Sequence, residues 1–145
     1  MERIVLKGRS ASKGMAKGEA MVVDDPICFC SDLDVMTGVI NEPTSKARGQ
    51  SVAGKIMVFP MGRGSSGGPY GLYMLKKAGN FPRAIINVEA DLVAVSGAIL
   101  SRIPMVYQLD QDPMEVIQTG DHVEVDGDRG IVVVTKKGAQ GQREN

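Results

Sequence analysis

Three short apolar runs in the middle of the chain constrain the possible folds most strongly. Each has the length of a buried strand and is bounded by glycine, proline or polar residues. A segment long enough for a helix separates each run from the next. Because helical crossovers join parallel strands, the pattern predicts a strand–helix–strand–helix–strand unit with parallel pairing. The runs are KIMVFP (55–60), RAIINVE (83–89) and IPMVYQL (103–109).

The two segments between these runs have helical patterns. The first predicts a helix from Pro69 to Ala78, since proline suits the first turn of a helix. The second, ADLVAVSGAILSR, covers residues 90–102. At helical spacing, three large aliphatic residues share one face of this second helix: Leu92, Val95 and Ile99.

The flanking segments predict antiparallel strand pairs. RIVLKG and GEAMVVDD have strand patterns, and HVEVDGDRGIVVVT predicts two strands around an Asp-Gly turn. The predicted fold class is therefore α/β, a single domain over residues 1–135 in which a small mixed sheet or barrel carries two principal helices. The remaining residues, 136–145, have nothing to bury and are predicted to form a disordered tail.

Composition excludes several classes of partner. The 145 residues include 17 basic and 17 acidic side chains, and this balance argues against nucleic-acid or membrane surfaces, which require clustered cations. No apolar run approaches the roughly 20 residues that span a bilayer, and the first residues lack a signal-peptide pattern. We therefore expect a cytoplasmic protein.

The metal-ligating residues are few. Cys28 and Cys30 are the two cysteines and His122 is the one histidine, whereas a metal site takes about four ligands. In a strand, the two cysteines would face the same side. We expect both to be reduced thiols that pack or line the edge of a pocket, and His122 to lie on the surface. No metal site is predicted in this chain.

The loop GRGSSGG, residues 62–68, is the strongest candidate for function. It follows an apolar strand and precedes a helix, and in α/β sheets ligands bind beyond the carboxyl ends of the strands. Glycines allow close approach of the backbone, and the N-terminus of the helix favours an anion. Arg63 adds a guanidinium that can hold a carboxylate or phosphate at two points.

The two serines of the loop leave several readings open. A serine can act as a base only if its alkoxide is stabilised, and amide donors with a guanidinium provide that stabilisation. The sequence contains no recognisable His–Asp relay, and the loop lacks the GKS or GKT of a Walker A motif. A turn that merely caps a helix is the structural alternative.

The chain resembles the small subunit of the aconitase X family from about Arg3 to Thr135. The resemblance depends on KIMVFPMGRGSSGGPYGLYMLKKAGNFPRAIIN, ADLVAVSGAILSRIPMV and TGDHVEVD. It implies a swivelling β/β/α domain that docks on a large catalytic subunit. Separate small subunits of this kind belong to archaeal enzymes that dehydrate (R)-5-phosphomevalonate to trans-anhydromevalonate 5-phosphate, within a mevalonate route to isoprenoids.

The resemblance also implies roles for individual residues. The first serine after Gly-Arg-Gly, Ser65, corresponds to the proton acceptor of the family. Arg63 and Ser66 are then expected to bind a carboxylate or phosphate of the substrate. The glycines of the loop would leave room for the substrate: Gly62, Gly64 and Gly67.

Outside the loop, the resemblance implies one further site residue and one cofactor. Asp34 lines up with the aspartate of a Gly-Gly-Val-Asp segment in the family and is a candidate for substrate binding. An iron–sulfur cluster is expected in the large subunit rather than in this chain. Docking predicts an exposed apolar patch around the Ser65 loop, with three nearby methionines as candidates: Met57, Met61 and Met74. For Met57 and Met74, packing in the core is the favoured alternative.

Three alternatives remain open from the sequence. Within the family, the substrate could instead be cis-3-hydroxy-L-proline. A phosphocarrier domain can share the fold, but such domains carry a histidine in the glycine-rich loop, where this chain has serines. A non-catalytic swivelling interaction module is the third alternative.

Overall fold

The computed structural model describes residues 2–63 and 68–138. Within them lie ten strands and three helices. The strands are β1 (Arg3–Lys7), β2 (Arg9–Ser12), β3 (Met15–Val22), β4 (Leu33–Asp34), β5 (Val39–Ile40), β6 (Ile56–Phe59), β7 (Ala84–Asn87), β8 (Met105–Tyr107), β9 (His122–Asp126) and β10 (Ile131–Thr135). The helices are α1 (Gly68–Ala78), α2 (Leu92–Ser101) and α3 (Pro113–Val116).

Eight strands form one mixed sheet in the order β1-β10-β9-β3-β6-β7-β8-β2, and β4 and β5 pair separately. The pairs β6–β7 and β7–β8 are parallel, as their helical crossovers α1 and α2 require. The β3–β6 pair is also parallel, although its connection carries the β4–β5 pair and no helix. The β9–β10 hairpin and the β1–β10 pair are antiparallel. The predicted α/β class, the mixed sheet and the two principal helices are confirmed.

The sheet curls so that its two edges approach each other. Strands β1 and β2 stand at opposite ends of the strand order, yet only Gly8 separates them along the chain. The Gly8 N–H donates to the carbonyl of Gly130 at 2.8 Å, and a Cβ at Gly8 would lie 2.5 Å from the carbonyl oxygen of Tyr107. Glycine therefore allows the chain to turn the corner of a barrel-like sheet.

Both faces of the central strands are buried. Along β6, Ile56 and Val58 pack with the core inside the curled sheet, whereas Met57 and Phe59 pack with the core beneath the helices. This alternation follows from the two-residue period of a strand. Because the two faces are both covered, β6 and β7 are apolar almost without interruption.

Helix α2 faces the core mainly with its small residues, and of the three aliphatic residues predicted to share one face, Val95 packs against the core while the other two point outward. Leu92 is 81% exposed and Ile99 is more than half exposed, whereas Ala94, Gly97 and Ala98 are buried. The reason is the close approach of the two main helices. A Cβ at Gly97 would lie 3.1 Å from the Pro69 Cα of α1, so large residues are displaced to the outer face.

No helix within the described ranges is long and apolar enough to cross a membrane.

The chain after β10 is held by Asp121, a buried carboxylate. Its side chain accepts hydrogen bonds from Lys136 Nζ at 2.5 Å, from the Gln118 N–H at 2.8 Å and from the Lys137 N–H at 3.1 Å. Lys136 also donates its backbone N–H to Glu2. Lys136 and Lys137 are thus hydrogen-bonded to the domain, and the boundary at 135 stays a prediction. Residues 139–145 lie outside the described residues, and their disorder stays a prediction.

We expect Asp121→Asn to lower the free energy of unfolding by about 3 kcal/mol, since it leaves Lys136 without its buried anionic partner. Burial opposes ionisation of Asp121, but its hydrogen bonds outweigh burial and lower its pKa. The stabilisation is therefore full above the unfolded pKa, near about 4, and is lost as the pH falls through the lower folded pKa.

Urea titrations across pH test this expectation. The gap between wild type and Asp121→Asn should be widest near neutrality and narrow below about pH 4. Glu115→Gln, at an exposed position, is the matched control and should remain within about 0.5 kcal/mol of wild type. A difference in the free energy of unfolding between the wild type and Asp121→Asn that stays constant down to pH 2 would contradict the role assigned to the Asp121 carboxylate.

Candidate functional site

The four central residues of the candidate loop, Gly64, Ser65, Ser66 and Gly67, lie outside the described residues. Gly62 and Arg63, which lead into them, and α1, which follows them, are described. The site is therefore defined here by the two flanks of the loop and by the groups that hold those flanks.

The chain that enters the loop, residues 60–63, is fixed by backbone hydrogen bonds. The Ile27 N–H donates to the Met61 carbonyl at 3.1 Å, and the Arg63 N–H donates to the Ile27 carbonyl at 2.8 Å. The Pro60 carbonyl accepts from the amides of Val88 and Glu89. The segment from Pro60 to Arg63 is therefore hydrogen-bonded on both sides and extends β6 beyond its last residue.

Gly62 contacts the start of α2 through Asp91. The Gly62 N–H donates to Asp91 Oδ1 at 2.9 Å, while Asp91 Oδ2 accepts from the Val93 N–H and caps the helix. A Cβ at position 62 would lie 2.4 Å from Asp91 Oδ1 and 2.9 Å from the Ala94 Cβ. Glycine at 62 is thus required by packing against α2.

Arg63 makes an ion pair with Asp32. The distance from Arg63 Nη2 to Asp32 Oδ1 is 2.5 Å. The Arg63 side chain is 49% exposed and that of Asp32 is 8% exposed, so a solvent-accessible guanidinium is held by a buried carboxylate. The hydrogen bond and charge of Asp32 raise the pKa of Arg63, which remains a cation at every physiological pH.

Asp32 closes a turn that carries the two cysteines. Residues 28–31 form a turn, not the strand considered from the sequence, but the Cys28 and Cys30 sulfurs do meet, at 2.9 Å. Burial raises the pKa of the Cys28 thiol, but hydrogen bonds with Cys30 and Ser31 outweigh it, and the net pKa is lowered. Cys28 is buried, in line with the packing role predicted for it, and Cys30 is exposed.

The same turn packs against α1, on the far flank of the loop. A Cβ at Gly71 would lie 2.3 Å from the Phe29 carbonyl oxygen, so the helix and the turn touch through backbone atoms. Residues 27–32 therefore contact both the segment that enters the loop and the helix that leaves it.

A cavity of about 340 Å³ lies beside Arg63. Its apolar wall includes Ile27 and Ile40. Hydrogen bonds from Thr44 lower the pKa of Glu42, which keeps that carboxylate ionised. Among the described residues, the cavity is lined by one cation and three carboxylates: Arg63, Asp25, Asp32 and Glu42.

Asp34 has a turn-forming role in the structure. Its Oδ1 accepts from the Met36 N–H at 2.8 Å, and its carbonyl accepts from Thr37 and Gly38. It does not line the cavity beside Arg63. Its role in substrate binding therefore stays a prediction.

Asp32 and Asp91, the two carboxylates that hold Arg63 and Gly62, were not singled out from the sequence. Asp91 had a local signal, because an aspartate directly before a helical pattern is a favoured N-cap. Asp32 had none, since its partner Arg63 lies 31 residues away along the chain. Only the fold brings Asp32 and Arg63 together.

Comparison with known proteins gives consistent results. A model of the aconitase X swivel domain matches residues 5–134. The phosphomevalonate dehydratase small subunit of Methanosarcina acetivorans is 43% identical over 94% of both chains. The subunit of the same name from Thermococcus kodakarensis is 44% identical and covers 92% of this chain and 98% of its own. A crystal structure of Thermococcus kodakaraensis aconitase X matches 92% of this chain and 99% of its own, with a TM-score of 0.87 and 44% identity.

The geometry around Gly62 predicts a specific effect of removing Asp91. We expect Asp91→Ala to cost about 1 kcal/mol through loss of the helix cap. It should also accelerate hydrogen exchange of the Gly62 amide by about tenfold, since that amide loses its acceptor.

Asp112→Ala is the matched control, because Asp112 caps α3 through the Met114 N–H in the same way. It should cost a similar amount of stability and leave exchange at Gly62 unchanged. Equal protection of Gly62 in the wild type and in Asp91→Ala would show that Asp91 does not hold the loop.

Proposed function

The chain belongs to the aconitase X swivel-domain family, and we propose that it is the small subunit of a hydro-lyase that dehydrates (R)-5-phosphomevalonate. The product is trans-anhydromevalonate 5-phosphate, an intermediate of a mevalonate route to isoprenoids. The observation that carries this proposal is the likeness, along nearly the whole of both chains, to subunits named phosphomevalonate dehydratase small subunit.

In this proposal Ser65 accepts the proton. Loss of water from a 3-hydroxy acid breaks a C–H bond next to the carboxylate and the C–O bond one carbon further along. The proton passes to the alkoxide oxygen of Ser65, which becomes the neutral hydroxyl, the C–H electron pair forms the double bond, and the substrate hydroxyl leaves as hydroxide with the C–O electron pair. A C–H bond of this kind is weakly acidic, so the base must be strong and well positioned.

The flanks of the loop favour a serine alkoxide. Helix α1 begins three residues after Ser65, and its first turn carries no acidic residue that would offset the partial positive charge of the helix N-terminus. Arg63 stands two residues before Ser65 and remains a cation. These charges lower the cost of an anionic oxygen.

Arg63 binds the carboxylate of the substrate, with Ser66 as a second donor and the glycines of the loop leaving room. The surroundings of Arg63 support a carboxylate over a phosphate. Three carboxylates share the cavity with its single guanidinium, and a dianion would meet more repulsion there than a monoanion.

Membership of the family implies an iron–sulfur enzyme, but this chain does not fit the cluster. Across residues 2–63 and 68–138, no group of three or more His, Cys, Asp or Glu side chains could hold a metal ion. Cys28 and Cys30 offer two thiols, whereas such clusters are held by about four cysteines. We assign the cluster to a large partner subunit.

The proposed partner docks around the loop. Three apolar side chains next to the loop or at the start of α2 are exposed to solvent: Met61, Tyr70 and Leu92. Of the two other methionines expected near the patch, Met57 is buried in the core and Met74 is half-buried. Burial of the exposed group against a large subunit would remove water from the site and complete it.

Ser65→Ala in the reconstituted two-subunit enzyme tests the proposed reaction. We expect turnover to fall on the order of 10²- to 10⁴-fold, the usual contribution of a positioned general base. Assembly should be unchanged. Ser10→Ala, at an exposed position in β2, is the control and should retain full activity.

Full activity of Ser65→Ala would overturn the catalytic role and favour a non-catalytic interaction module. Assays with both candidate substrates decide the specificity. Turnover of cis-3-hydroxy-L-proline without turnover of phosphomevalonate would overturn the proposed substrate.

Leu92→Gln tests the docking surface. We expect the Kd for the large subunit to rise by about tenfold, as for an apolar anchor at an interface. Met15→Gln is the matched control, because Met15 is also a highly exposed apolar residue but lies on β3. Equal effects of the two substitutions would contradict a surface centred on the loop.

A further inference from the structure

Asp32 collects an unusual set of donors for a side chain that is 8% exposed. Its carboxylate accepts from Arg63 Nη2 at 2.5 Å, from the Cys28 N–H at 2.9 Å and from Ser31 Oγ at 3.3 Å. A buried carboxylate is costly unless donors surround it, and these three offset that cost.

The backbone of Asp32 is equally well held. Its N–H donates to the Cys28 carbonyl at 2.9 Å, and its carbonyl accepts from Asn41 at 2.9 Å and from Glu42 at 3.2 Å. Asp32 therefore has a fixed position from which its carboxylate can direct another side chain.

Arg63 is the side chain that needs such direction. It is half-exposed and, like any arginine, has rotamer entropy to lose when it binds. The ion pair with Asp32 removes part of that freedom before a ligand arrives. The Arg63 backbone is fixed by the segment that also contains Asp32, because the Arg63 N–H donates to the Ile27 carbonyl.

We propose that Asp32 is a positioning residue that orients the Arg63 guanidinium toward the carboxylate of the substrate. The inference rests on the proposed function, in which Arg63 binds that carboxylate. Asp32 does not itself contact substrate. Asp32 acts by reducing the conformational entropy that Arg63 loses when it binds the substrate. Asp32 engages Arg63 Nη2, and the other N–H groups of the guanidinium can donate to the substrate.

A purely structural role for Asp32 would make a different prediction. Capping the turn requires an acceptor for the Cys28 N–H, which an asparagine Oδ1 can supply, while the Ser31 hydroxyl can accept from the asparagine Nδ2. Asp32→Asn therefore retains the turn while it removes the charge that holds Arg63. This substitution separates the two roles.

The test is a double-mutant cycle on the reconstituted enzyme with phosphomevalonate. We expect Asp32→Asn to raise KM by about tenfold and to change kcat by less than about threefold, as for a loss of uniform binding. Arg63→Gln should raise KM by at least as much. In the Arg63→Gln background, Asp32→Asn should have no further effect on KM, and Asp32→Glu should restore part of the loss in the wild-type background.

Asp128→Asn, in the distant β9–β10 loop, is the matched control and should leave both constants unchanged. If Asp32→Asn raised KM by the same factor in the wild-type and in the Arg63→Gln background, the positioning role would be overturned. An unchanged KM in Arg63→Gln would overturn the inference as well, whereas the proposed reaction would still be decided separately by Ser65→Ala.

A measurement on the wild-type chain keeps the inference testable if Asp32→Asn does not assemble. In ¹⁵N NMR spectra, an arginine held through Nη2 shows separate signals for its two Nη atoms, because rotation of the guanidinium is slow. Separate signals from Arg63 are expected. A single averaged Nη signal would overturn the inference.

Discussion

The candidate site depends on two carboxylates that fix one short segment of chain from opposite sides. Asp91 accepts the Gly62 N–H at the start of α2, and Asp32 holds the Arg63 guanidinium. Residues 60–63 continue a buried parallel strand, so the segment enters the loop from a rigid base. The loop that follows can be short and rich in glycine because its point of entry is already fixed.

Small residues make this arrangement sterically possible. Gly62 packs on α2, Gly71 of α1 packs on the Phe29 carbonyl, and Gly97 of α2 packs on Pro69 of α1. Each contact would be too close for a Cβ or would force its neighbour to move. The close packing of α1 and α2 also explains why α2 turns Leu92 and Ile99 outward. In the proposed assembly, Leu92 belongs to the interface with the large subunit.

The sequence predicted the central strand–helix unit because strand and helix periods are local properties. The parallel order of β6, β7 and β8 followed from apolar runs separated by helical segments. The orientation of α2 did not follow, since it depends on how closely two helices approach rather than on hydrophobicity alone. The pairing of Asp32 with Arg63 also lay beyond the sequence, because no local pattern connects residues 31 positions apart.

The central claim is that the fixed entry segment delivers Arg63 to the carboxylate of the substrate and Ser65 to the neighbouring carbon. A crystal structure of the two-subunit enzyme with phosphomevalonate or an unreactive analogue tests this most directly. The account predicts Ser65 Oγ about 3–3.5 Å from the carbon that loses its proton, with Arg63 on the carboxylate. Ser65 directed away from the bound substrate, with a base of the large subunit at that carbon instead, would contradict it.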